Sequence, residues 1–167
     1  MVHFIHLMPL CIPDNMSRQA MAISDEDYKK VNEAITAVKD DGKEIRSIFE
    51  TYYEDEVAID WEVDAAVDAL SIFSSRWTVE ILATLYIAGD RRFNELRKLL
   101  RGISSRTLSD KLTKCVETGL VDRVVETTSP VKVTYQLTEH GRDAGRLLGP
   151  LVAYMKIQQG RVIRHSV

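Results

Sequence analysis

The chain has 167 residues and a mass of 19.0 kDa, enough for one domain with an accessory segment and for a core that needs neither disulfides nor metal. Hydrophobic residues at 45% and charged residues at 28% exclude a fibrous or wholly disordered chain. The net charge of −3 hides an asymmetry: residues 1–75 carry six Lys/Arg against sixteen Asp/Glu, whereas 76–146 carry thirteen against nine and 147–167 three against none.

Residues 1–15, MVHFIHLMPLCIPDN, show no clean period, and the stretch to residue 23 is expected to be disordered or loosely attached. This start lacks a basic region and a small-residue cleavage site, so a cytoplasmic location is expected. His3, His6 and Cys11 match no standard metal spacing, and no metal or other cofactor is expected. Ser24 precedes Asp25-Glu26-Asp27, a cap with acids suited to the positive end of a helix. Apolar residues then recur at Tyr28, Val31, Ile35 and Val38, and again at Ile45, Phe49 and Tyr52. Asp40-Asp41-Gly42 between them reads as a C-cap, giving a helical hairpin or one kinked helix over 24–60. The segment is acidic outside. It either packs against its own domain or serves as a dimerisation arm.

A further helix is predicted over 60–73, with Val63, Val67, Leu70 and Phe73 along one face. Another runs from Trp77 to Ile87 and stops at Gly89, and a short one from Arg92 to Leu100 turns Phe93, Leu96 and Leu100 inward. After Arg101-Gly102-Ile103, Ser104 caps a helix to about Thr118, with Leu108, Leu112, Cys115 and Val116 on its buried face. The period then changes to β-type in Leu120–Val125 and Val131–Leu137, joined by Thr127-Thr128-Ser129-Pro130 as a hairpin tip. Thr138 caps a last helix, which Gly149-Pro150 must kink or restart. The longest largely apolar stretch, 79–88, is interrupted by Glu80 and too short to span a bilayer, and no membrane partner is expected.

This order gives a mainly α fold with a small β-hairpin wing: a winged helix-turn-helix over 61–141, with additional helices before and after it. In such a unit the helix starting near Ser104 enters the major groove of double-stranded DNA with its N-terminal residues at the base edges. Ser105, Arg106 and Ser109 are the candidate readers, because hydroxyls donate or accept and arginine binds guanine bidentately. Ser104 offers backbone N–H groups to a phosphate. Arg92, Arg97, Lys98, Arg101, Lys111 and Lys114 are candidate phosphate partners, with Lys132 on the wing and Thr113 a further candidate contact on the exposed face of the helix.

The segments RWTVEIL (76–82), RRFNELRKLLRGISSRTLSDKL (91–112), ETGLVDR (117–123) and VTYQLTEHG (133–141) resemble HxlR-type winged helix-turn-helix regulators, relatives of the MarR group. The resemblance covers about residues 61–155. It implies a sequence-specific transcriptional regulator that binds DNA as a homodimer, with the terminal helices (142–167 among them) at the dimer interface. Many members carry a cysteine at the start of the helix preceding the RWT motif, and some use it as a sensor; here that region reads Glu62-Val63-Asp64-Ala65, so thiol sensing is not implied. No phosphate loop, dinucleotide fingerprint, nucleophile elbow or HExxH motif is present, and an enzyme is not expected. Two alternatives stay open: a winged-helix module that binds protein, and a ligand-responsive regulator whose effector cavity Tyr52, Tyr53 and Trp61 would line.

Overall fold

A computed structural model describes residues 20–52, 56–127 and 130–165. Its elements are β1 (Met21–Ile23), α1 (Asp25–Glu50), α2 (Glu56–Leu70), a 3-10 turn (Ser71–Ser74), α3 (Arg76–Ala88), β2 (Arg91–Arg92), α4 (Phe93–Leu99), α5 (Ser105–Glu117), β3 (Val121–Glu126), β4 (Lys132–Leu137), α6 (Glu139–Gln158) and β5 (Val162–Arg164). The fold is mainly α with a small antiparallel sheet, as the periodicity predicts. The core is one cluster in which Ile81 and Leu85 of α3 meet Leu96, Leu100 and Ile103, then Leu108, Leu112 and Cys115 of α5, and Val121 and Leu137 of the strands. Three caps fall on the predicted residues: Ser24, Ser104 and Thr138 accept from the amides of Asp27, Thr107 and Gly141.

Several expectations are corrected. α1 runs unbroken through Asp40-Asp41-Gly42, so there is neither a C-cap nor a hairpin. A single glycine costs a helix only about 1 kcal/mol, and i,i+3 and i,i+4 pairs continue across the site at Lys43–Asp40 and Arg46–Glu50. Of the two outcomes expected at Gly149-Pro150, α6 shows no restart: it is one helix that contains Pro150. Gly149 before it has no Cβ to clash with the proline ring, which removes the usual bar to helical geometry at that position. Met21–Ile23, expected to be loosely attached, pair as a parallel strand with Val162–Arg164 at the end of the C-terminal tail, Met21 opposite Val162. Neither three-residue segment is long enough to show a period of its own. The predicted wing tip falls partly outside the described residues.

The wing gains a third strand, β2, whose Arg92 the sequence reading placed at the start of a helix and whose Arg91 it assigned to no element. Arg91 pairs with Tyr135 and Arg92 with Thr134, giving the order β2-β4-β3. On the predicted inner face of the residue 60–73 helix, Val63, Val67 and Leu70 are all more than half exposed. Val116 is also 38% exposed, because it lies at the edge of the α5 stripe and not at its centre.

Among the described residues no helix is long and apolar enough to cross a membrane.

Candidate nucleic-acid interface

α4, the turn and α5 form the helix-turn-helix unit. The turn works because Gly102 takes φ +87, a left-handed conformation costly for other residues, while Leu100 and Ile103 on either side plug into the core. Ser104 then starts α5, its Oγ accepting from Thr107 N at 3.0 Å and lying 2.8 Å from the Thr107 hydroxyl. Ser104 therefore acts first as the cap. Leu108, Leu112 and Cys115 are buried on one side, which leaves Arg106, Ser109, Asp110, Thr113 and Glu117 exposed on the other.

The predicted contact residues do not have equal standing on this surface. Arg106 is exposed in the first turn and makes no ion pair among the described residues. Ser105 is also exposed, but its Oγ accepts from Arg97 Nη1 at 2.9 Å. That bond ties the second helix of the unit to the first. Arg97, read from sequence as a phosphate partner, thus positions Ser105, and the Ser105 hydroxyl keeps its own proton to donate outward. Lys111 is half-buried beside Cys115. Lys114 lies 3.8 Å from Glu117, both well exposed, a pair worth little in water and readily exchanged for a phosphate.

The sheet register decides the wing. Directly opposed residues share a face, and Val121 and Leu137 mark the inner one. Arg92 and Lys132 therefore share the outer face, with Arg92 beside Thr134 and Lys132 opposite Glu126. Arg92 also begins α4, its backbone N–H donating to Glu95 Oε2 at 2.7 Å. The sequence reading missed Arg123 and Arg91, which flank Tyr135 on the opposite face from either side. A strand of two residues carries no readable period, so no signal placed Arg91 there.

Burial raises the Cys115 thiol from 9.0 to about 11, with Lys111 opposing the shift. A thiol that stays protonated is a poor nucleophile. Native protein should leave Cys115 unlabelled by iodoacetamide at neutral pH and expose it only on unfolding; rapid native labelling would contradict this. Because the folded state holds that proton more tightly, stability should fall as pH rises from about 9 to 11, and a Cys115→Ala variant should lack that part of the decline.

The cavity lies elsewhere than the aromatic residues suggested. Tyr52 is 76% and Trp61 66% exposed, and Tyr53 lies outside the described residues. A cleft of about 470 Å³ instead opens between α3 and α6, with β1 and β5 along one side.

Comparison with known proteins bears on residues 72–162, which match the family described as HxlR-like helix-turn-helix. The HTH-type transcriptional regulator Rv3095 of Mycobacterium tuberculosis is 42% identical over 83 residues, 50% of this chain and 51% of its own. The chain thus spans about half the length of the first curated relatives it matches. A MarR-family transcriptional regulator from Enterococcus faecalis superposes with a TM-score of 0.54 and 29% identity, over 57% of this chain and 86% of its own. The reduced form of the regulator YodB from Bacillus subtilis superposes with a TM-score of 0.50 and 29% identity, over 53% and 86%.

Proposed function

The chain belongs to the HxlR-like helix-turn-helix family, and on that premise we propose that it is a sequence-specific DNA-binding transcriptional regulator that acts in the cytoplasm as a homodimer. The observation that carries this reading is the outward face of α5. An arginine with no ion-pair partner among the described residues and two hydroxyls stand in the first turns of a helix whose opposite side is locked into the core. Arg106, Ser105 and Ser109 read base edges in the major groove. Thr113 and Lys114 contact the backbone further along, together with Lys111 at the edge of the helix and Arg92 on the sheet. Lys132 contributes from the wing, weakened by Glu126 opposite it. Ser104 supports the interface by fixing the start of α5.

The homodimer reading draws on uncovered apolar surface: Leu147 of α6 is 79% exposed, and Ile45, Ile48 and Phe49 of α1 are each more than half exposed. Single soluble domains rarely leave so much apolar surface open. Sedimentation should give twice 19.0 kDa, and a stable folded monomer at micromolar concentration would refute dimerisation. DNA binding is tested by selection from randomised duplexes, followed by affinity at several salt concentrations. Selected sites should hold two half-sites about one helical turn or a multiple apart, with affinity falling steeply as salt rises. No enrichment and no salt slope would mark a protein-binding module instead.

A further inference from the structure

The serine hydroxyls at the start of α5 differ in what each is free to do. Ser104 Oγ is engaged on two sides, accepting from Thr107 N at 3.0 Å and lying 2.8 Å from the Thr107 hydroxyl. Ser109 is exposed and its hydroxyl has no hydrogen-bond partner among the described residues, so it turns to donate or to accept. Ser105 lies between these extremes. It is exposed, and one lone pair of its Oγ is taken by Arg97 Nη1 at 2.9 Å. Ser105 and Ser109 are four residues apart on α5 and so lie on one outward face, a helical turn from each other.

Arg97 reaches Ser105 from α4, across the turn. It has no ion-pair partner among the described residues, so no carboxylate there offsets its charge at the Ser105 oxygen. A hydroxyl that accepts from a cation is a stronger donor through its own O–H. The same cation repels a second donor approaching the remaining lone pair. A free serine works in both directions, but Ser105 is biased to donate. In the major groove guanine, adenine and thymine each present at least one acceptor, whereas cytosine presents only an amino donor.

On the DNA-binding reading, on which this step rests, we propose that Arg97 is a positioning residue for base recognition. Its bond to Ser105 makes that hydroxyl exclude cytosine at one position of each half-site. Ser109, with no such partner, tolerates all four bases. Arg97 also links two kinds of contact. A guanidinium carries five N–H donors, and the bond to Ser105 uses the Nη1 edge. Its other donors are free to hold a backbone phosphate, where the first helix of such a unit crosses the strand. One side chain then fixes both the strand and the hydroxyl that reads the base beside it.

Selection from randomised duplexes with the full chain, then competition between the selected site and its single-base variants, tests this role. Wild type should disfavour cytosine about three- to tenfold at one position per half-site, the range that one net hydrogen bond supplies. Ser105→Ala should lift that penalty. Arg97→Met should lift it too, because it keeps the apolar stem and removes the donors. In the Ser105→Ala background, Arg97→Met should lower affinity and the salt slope and leave base preferences unchanged. Both side chains are exposed, so neither substitution disturbs the core. An arginine that only packs α4 on α5, or only binds phosphate, behaves otherwise: its loss weakens every sequence equally. If Arg97→Met keeps the cytosine penalty, or Ser105→Ala relaxes no position, the role is overturned while DNA binding stands. If wild type selects no sequence at all, the DNA-binding reading falls, and this role with it.

Discussion

Gly141→Ala should destabilise the protein by about 2–3 kcal/mol, through overpacking against backbone that cannot move away. A Cβ built on Gly141 falls well inside contact distance of the Leu120 carbonyl oxygen, and 3.3 Å from Leu137 Cδ2. That carbonyl is already fixed, accepting from Thr138 N at 3.1 Å. The same threonine donates its hydroxyl to Gly119 O at 2.6 Å and accepts from Gly141 N at 2.9 Å. The start of α6 is thus pinned where β3 begins and β4 ends. Gly42→Ala is the control. It too lies inside a helix, but its Cβ would meet nothing within 4 Å, so it should gain about 0.5–1 kcal/mol from helix propensity. Urea denaturation of both variants measures the contrast as opposite shifts in midpoint at unchanged slope. A Gly141→Ala midpoint equal to wild type would mean that the α6 start can slide, and would refute the pinning.

Arg106→Ala should cost about 1–3 kcal/mol in affinity for the preferred DNA site and relax the preference at one base pair in each half-site. Arg106 stands in the first exposed turn of α5, opposite buried Leu108, where a recognition helix comes nearest the base edges. Lys114→Ala should behave differently. Lys114 lies more than two turns on, where it shares its charge with Glu117 at 3.8 Å. Its loss should weaken all sequences about equally and reduce the salt slope by about one per protomer contact. Competitive binding to randomised duplexes at several salt concentrations separates the two roles. If Arg106→Ala keeps wild-type base preferences and alters only the salt slope, the base-reading role belongs to another residue.

Much of the architecture was legible in the sequence because it rests on local rules. A serine or threonine before an apolar stripe starts a helix, and the Ser104 and Thr138 caps follow from hydroxyl geometry that needs no tertiary partner. The α5 stripe places Leu108, Leu112 and Cys115 inward by its period alone, which also fixes Arg106 and Ser109 as outward. The change from a period of 3.6 to one of 2 at Leu120 announces the wing. Motif spacing pointed to the family for the same reason: the tight Gly102 turn and the Gly141 contact admit few alternatives.

Only the tertiary structure decided which faces are covered, and by what. Apolar spacing shows that a helix has an inner face, but not that its partner lies in the same chain. α2 has such a face and leaves it exposed, while the seam of α1 is buried at Ile35 and open from Val38 onward. The strands β1, β2 and β5 exist through pairing with distant residues, and segments of two or three residues are too short to carry a period. Hairpin register and the packing of α4 on α5 likewise set the company of individual charges, with Glu126 opposite Lys132 and Arg97 turned to Ser105. Periodicity assigns a residue to a face; which side chain meets it there depends on how adjoining elements pair and pack, which the period of a single element does not encode.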